Sequence, residues 1–239
     1  MSQVTDTASR PEPRRRLPSE ERRAQIVEAA LQLVAKYGVQ GTTLHRIAEE
    51  LGITHPALYA HFSNRREILL AALDVLFARI MEVHRASSDE NALERLRAIS
   101  LRHTALVASA PAGFVFPLFE FLAASPEEGL REELAVRQRA LAKDLAEIVQ
   151  EGQAQRTIRP DVDAEQVGWL ITSRHWTEDV ALLMGVTEDW DRASSMRLLD
   201  LIIGSIEMPG GGEGAGAQPG GAPPRPNAAS PGNGAAAAG

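Results

Sequence analysis

The 239-residue chain contains no cysteine. That absence excludes disulfides, thiolate zinc sites, iron–sulfur clusters and a cysteine nucleophile. An export signal is also missing from the expected place, because Arg14, Arg15 and Arg16 run into Leu17-Pro18-Ser19-Glu20-Glu21 and not into an apolar stretch. Long hydrophobic runs are lacking too. Between His103 and Glu120 lie 16 uncharged residues, but Pro111, Gly113 and Pro117 interrupt them, and ~20 are needed to span a bilayer. No membrane segment is expected. The six histidines are never paired as H-x-x-x-H or H-E-x-x-H, and His55 and His61 would stand about 240° apart on a helix, wrong for one metal ion. G-x-S-x-G and P-loop motifs are absent as well. Glu49-Glu50 and Glu127-Glu128 read as helix-surface and first-turn charge. Neither catalysis, nor a metal, nor a cofactor is expected.

Composition otherwise matches an ordinary globular chain, with 44% apolar and 24% charged residues. The net charge of −7 conceals an asymmetry. Residues 10–70 hold ten Arg/Lys against seven acids, while residues 71–239 carry −9. A basic N-terminal part on an acidic body is the pattern of a chain that presents one end to a polyanion.

Apolar spacing predicts helices throughout. Ile26, Ala29, Ala30, Leu33, Val34 and Tyr37 recur at three- and four-residue steps from Ser19 to Tyr37, and Gly38 supplies a stop. A second short helix spans Thr43–Leu51, with Leu44, Ile47, Ala48 and Leu51 inward, and ends at Gly52. A third runs from Thr54 to about Phe62, with Pro56 tolerated in its first turn. Asn64, with Glu67 three positions on, opens a long fourth helix through Ile80. Further helices are expected at about 90–108, 114–123, 126–152, 163–184 and 189–207. Ser125-Pro126-Glu127-Glu128 looks like the best-formed start signal of the chain, and Asp163 with Gln166 marks another. Phe114-Val115-Phe116 alternates like a strand, but Pro117 and the lack of a partner argue against one. The fold class is all-α.

After Met208 the composition collapses to Gly, Pro, Ala, Ser and Asn, so residues 209–239 are expected to be a disordered tail. Gly212–Ala217 there matches G-x-G-x-x-A formally, but with no strand before it and no helix after it the match is spurious. The expected organisation is a basic arm at 1–18, a helix-turn-helix head at 19–66, a helical body at 67–208 and the tail.

Two helices joined by a tight glycine turn, the second very short, form a unit that enters a DNA major groove. Leu58 and Phe62 are expected to pack inward on Ile47, Leu51 and Leu33. Thr54, His55, Ala57, Tyr59 and His61 lie on the other side, where hydroxyl and imidazole groups suit phosphates or base edges and a small alanine suits a thymine methyl.

The run Thr42-Thr43-Leu44-His45-Arg46-Ile47-Ala48-Glu49-Glu50-Leu51-Gly52-Ile53-Thr54-His55-Pro56-Ala57-Leu58-Tyr59-Ala60-His61-Phe62-Ser63-Asn64-Arg65-Arg66-Glu67 closely resembles the DNA-binding signature of the tetracycline-repressor (TetR) family. The resemblance covers roughly 45 residues. It implies a cytoplasmic, nucleoid-associated homodimer that joins through the last two helices and binds a double-stranded inverted-repeat operator. A small-molecule effector in the body would release it. It also implies that Tyr59, His61 and Arg65 touch phosphates, that Thr54, His55 and Ala57 approach bases with Pro56 among the DNA-binding residues, and that Thr43, His45 and Arg46 lie at the groove edge. The arm Arg14–Arg16 is longer than the family needs and could enter a minor groove; the tail is not a family feature. An effector pocket would be apolar with a few polar groups, which makes His103, Phe114, Phe119, Arg174, His175 and Trp176 candidate wall residues. Trp169 and Leu170 are candidates for the dimer interface. The rival readings are an effector-independent architectural DNA-binding protein and a helical protein-interaction module.

Overall fold

The computed structural model describes residues 18–85, 91–109 and 111–209. All but the last residue of the basic arm and all but the first residue of the tail lie outside them. Among the described residues every regular element is helical, apart from one isolated bridge between Ile158 and Glu207.

The first four helices follow the apolar spacing closely. Helix α1 (Ser19–Gly41) buries Ile26, Ala30, Leu33 and Val34 along one face, bends at Gly38 (φ 71°) and continues for one more turn. Tyr37, expected on the buried face, is instead exposed. It sits at the end of that face, just before the bend, and the Arg46 guanidinium lies 4.6 Å from its ring centroid. Helix α2 (Leu44–Leu51) begins with the Thr43 hydroxyl accepting from the Arg46 N–H at 3.2 Å. It ends at Gly52 in the left-handed region (φ 60°), a conformation that costs an L-residue with a β-carbon about 1–2 kcal/mol. Helix α3 (His55–Tyr59) is shorter than expected, at five residues. In α4 (Arg65–Arg85) the Asn64 side chain accepts from the Glu67 N–H at 2.9 Å, and the Glu67 carboxylate reaches back to the Ser63 N–H at 2.7 Å.

The remaining helices are α5 (Ala92–Ser109), α6 (Pro111–Leu122), α7 (Leu130–Ala154), α8 (Ala164–Met184) and α9 (Arg192–Ile206). Phe114–Phe116 are helical, not extended, and Pro117 sits inside α6. Asp163 caps α8 as expected, accepting from the Glu165 and Gln166 N–H groups at 2.9 and 3.2 Å. The start signal at Ser125 is overturned. Pro126–Glu128 form a single 3₁₀ turn, the Ser125 hydroxyl makes no capping bond, and Gly129 (φ 63°) breaks the chain before α7 begins. Glu128 is directed elsewhere, as described below. Gly168 permits close helix packing, because a β-carbon there would run into the Ala142 carbonyl of α7.

Two apolar clusters hold the molecule together. One joins α1 to α4 with parts of α5, α6 and α7, from Ile26 through Phe62 and Leu76 to Leu141. The other joins α5, α7, α8 and α9 through Leu96, Ile99, Leu145, Ile171 and Leu199. The first runs unbroken across the boundary expected between residues 66 and 67. Along α5 and α8, the residues between the two clusters are polar and buried: Ser100 and His103 on one, Thr172, Arg174, His175, Glu178 and Asp179 on the other. No single helix among the described residues is long and apolar enough to cross a membrane.

Candidate nucleic-acid interface

Helix α3 is held from behind. Leu58 is 1% exposed, and it is buried with Phe62 in the same cluster as Ile47 and Leu33, with Leu51 packed against it. That anchoring leaves the opposite side open: Thr54, His55, Pro56 and Tyr59 are exposed, Tyr59 to 56%. Ala57 and His61 are half-buried. Across the turn, Thr43, His45 and Arg46 of α2 are exposed as well. The rings of His45 and His55 lie 6.3 Å apart, and those of His55 and Tyr59 6.5 Å apart, so three rings follow one another across the two helices. Arg46 spends one donor on the Gly41 carbonyl, at 2.8 Å. The His61 ring stands 3.4 Å from the Ser19 hydroxyl.

Arg65 is also tied into the head. Its Nε donates to the Thr42 carbonyl at 2.6 Å, one Nη to the Val39 carbonyl and the other to Glu128 at 3.0 Å. These bonds use three of its five N–H donors and leave one on each Nη. Its geometry is that of a strut between the end of α1, the start of α4 and the 3₁₀ turn. Gln40 donates to the other Glu128 carboxylate oxygen at 2.8 Å, and Arg66 donates to the Glu128 carbonyl at 2.9 Å.

Two supporting residues escaped the sequence reading. Arg23 lies 3.9 Å above the Phe62 ring centroid, donates to the His61 carbonyl, and pairs with Glu67 at 3.1 Å. It thereby pins the segment that follows α3. The signal for Arg23 is its place one turn before Ile26, at the end of the buried face of α1. The Ser63 N–H, followed by Arg23, holds the Glu67 carboxyl below its ordinary value. Glu128 is the second, and its proximity in sequence to a helix start disguised it. The basic excess expected at this end is absent among the described residues, where residues 18–70 hold six Arg/Lys and six acids, since Arg10, Arg14, Arg15 and Arg16 lie outside them.

In the body, four of the six candidate pocket residues meet. His103 stacks on His175 with centroids 4.1 Å apart, and Phe114 stands edge-on to His103 at 5.6 Å. With Trp176 they line a cavity of about 20 Å³, room for roughly one water. Phe119 packs on the apolar cluster instead. Arg174, 1% exposed, belongs to a separate network. It donates to Glu178 at 2.9 Å, to Ser195 at 2.7 Å and to the Ser100 carbonyl at 3.1 Å. Burial lowers its pKa from the usual value. His103 Nε2 lies 3.2 Å from Asp179, whose pKa burial raises. A larger cavity of about 240 Å³ lies on the other side of this layer, lined by α5, α8 and the start of α9.

Comparison with known proteins bears on both parts. Residues 26–72 match the bacterial regulatory proteins of the tetR family. The chain is 44% identical to the HTH-type transcriptional regulator TtgR of Pseudomonas putida over 78 residues, 33% of this chain but only 37% of TtgR. To the HTH-type transcriptional repressor KstR2 of Mycobacterium tuberculosis it is 30% identical over 161 residues, 65% of this chain and 78% of KstR2. Among solved structures, SmeT of Stenotrophomonas maltophilia in complex with triclosan superposes with a TM-score of 0.68 at 21% identity, covering 79% of this chain and 92% of SmeT. That likeness is one of fold. With a signature running from α1 into α4 and a similarity to KstR2 extending well into the body, the chain belongs to the tetR family of bacterial regulatory proteins.

Proposed function

We propose that this chain is a transcriptional repressor that binds an inverted-repeat operator as a homodimer and is released by an apolar or amphipathic small molecule. The observation that carries the reading is α3, whose Leu58 is locked in the core while Thr54, His55 and Tyr59 face outward beside His45. On this reading residues 19–66 read DNA and 67–208 bind the effector and the second copy. Thr54, His55, Pro56 and Ala57 approach bases, Tyr59 and His61 touch phosphates, and Thr43, His45 and Arg46 sit at the groove edge. Arg65 braces the head and touches phosphate with its remaining Nη donors.

Dimerisation through α8 and α9 is supported by their exposed apolar residues Trp169, Leu170, Met184 and Leu201; apolar side chains open on adjoining helices mark association surfaces. The sign of regulation follows KstR2 and SmeT, both named as repressors. Release requires the effector to favour a head spacing that no longer fits major grooves ~34 Å apart. The reading assigns the chain no catalytic activity. Gel retardation with random genomic fragments at two salt concentrations tests it. Salt-sensitive retardation that concentrates on inverted repeats is expected, and its absence favours a protein-interaction module. Retardation that no ligand reverses favours the architectural alternative.

A further inference from the structure

We propose that His45 and His55 together read one guanine in the major groove of each operator half-site, which makes His45 a reader of bases as well as a residue at the groove edge. The inference rests on the regulator reading above and adds to it the identity of a base.

It starts from two side chains that belong to different helices. Both imidazoles are exposed, His45 on α2 and His55 at the start of α3, and their ring centroids lie 6.3 Å apart with the planes tilted by 49°. With hydrogen bonds of about 2.9 Å reaching inward from each ring, that spacing brackets the edge of a single base. The backbones beneath the rings are fixed, because Ile47 of α2 and Leu58 of α3 are both fully buried in one apolar cluster, and a close-packed interior resists displacement. The two rings form a preset fork.

The chemistry of the fork selects the base. In either charge state an imidazole carries at least one N–H donor, so the pair offers two donors side by side. Guanine is the one base whose major-groove edge presents two acceptors, O6 and N7, and no donor; adenine sets an amino group beside its N7, cytosine presents an amino group, and thymine has a single oxygen beside a methyl. Two donors therefore fit guanine best. The residue types missing nearby point the same way. Residues 53–63 contain no Asn or Gln, which read adenine, no Asp or Glu, which accept from cytosine, and no Arg or Lys, which otherwise read guanine. Arg46, the arginine of α2, donates to the Gly41 carbonyl at 2.8 Å and lies over the Tyr37 ring, so its guanidinium is turned to α1. Tyr59 stands at the far end of the row of rings, 6.5 Å from His55, and its phenol serves a phosphate on the reading above. The guanine donors left on this face are the two histidines.

Selection of binding sites from a random duplex library by the full chain, followed by gel retardation at fixed salt, tests this. An inverted repeat with one constant guanine in each half-site is expected. Replacing that guanine by 7-deazaguanine, which keeps base pairing and loses N7, should weaken binding about tenfold, or about 1.4 kcal/mol. His45→Ala and His55→Ala should each lose the guanine preference at that position and respond to the 7-deaza change by less than about twofold. Their melting temperatures should match wild type, because both rings are exposed. His55→Asn should move the preference toward adenine. A consensus with no constant guanine, a guanine preference that survives both alanine variants, or a 7-deaza penalty equal in wild type and variants overturns the proposal. Failure of the regulator reading looks different. Retardation without a guanine preference sinks this inference and leaves that reading standing, whereas a chain that retards no duplex at all sinks both.

Discussion

The outer surface of α3 and the polar layer between α5 and α8 place their polar side chains in opposite ways. In the head, Leu58 and Phe62 carry the stability and Tyr59, His55 and Thr54 carry the chemistry, so the two duties fall on different residues. In the body they coincide. Arg174, Glu178, His103 and Asp179 are buried between two apolar clusters, so the groups that could meet a ligand are the same ones that must pair for the chain to fold. A surface can therefore vary residue by residue, whereas a buried charge network stands or falls as a unit.

The largest effect expected from that contrast is in the body. Arg174→Met leaves Glu178 buried without its cation and should cost about 3–5 kcal/mol in urea unfolding, and the double change Arg174→Met with Glu178→Leu should recover most of it. A single variant as stable as wild type would break the comparison. In the head the stability sits in the apolar anchor, so Leu58→Ala should cost about 2–5 kcal/mol and lose DNA binding with the fold of α3. Arg65→Ala sharpens the boundary between the two regions. It should lower stability by about 1–2 kcal/mol through its lost hydrogen bonds and reduce the salt slope of DNA binding by about one through its lost phosphate contact, whereas an unchanged slope would make Arg65 a structural brace alone. Tyr59→Ala should leave the melting temperature alone and weaken operator binding about tenfold, or about 1.4 kcal/mol. A drop in stability without a change in binding would place Tyr59 among the structural residues instead.

The smallest effect is a pH dependence that arises in the buried layer. Burial raises the Asp179 pKa above its ordinary value, so the folded chain holds that proton more tightly than the unfolded one. The resulting stabilisation is complete below about pH 4 and is lost as pH climbs through the raised folded value. Asp179→Asn abolishes this dependence. Its melting temperature relative to wild type should therefore rise as pH is increased from about 4 through the weakly acidic range, while Tyr59→Ala shows no such drift.

How much of this was legible beforehand follows from the same contrast. The head is built from local signals. Ile26, Ala30 and Leu33 repeat at helical spacing, Gly52 ends α2, and Leu58 and Phe62 are four apart, so the chain itself announces which side of α3 is buried. The bracing role of Arg65 was not legible because its partners, the Val39 and Thr42 carbonyls and Glu128, are up to 63 residues away, and spacing along one helix says nothing about acceptors on another. Ser125-Pro126-Glu127-Glu128 misled for a related reason: a start signal also needs a chain that continues helically, and Gly129 (φ 63°) does not. Likewise the pocket candidates were chosen by residue type. His103, Phe114, His175 and Trp176 do meet, yet around a space fit for about one water, while the larger cavity is lined by Glu178, Trp190 and Leu182.

Sequence alone determined the helices, the glycine turn and the outward face of α3, because periodicity and capping act within a few residues of one another. Only the tertiary structure decided that Arg65 braces the head, that Arg174 and Glu178 pair inside the body, and that one apolar cluster spans head and body. Hydrogen-bond partners and enclosed volumes depend on how distant helices pack, and no local pattern encodes that.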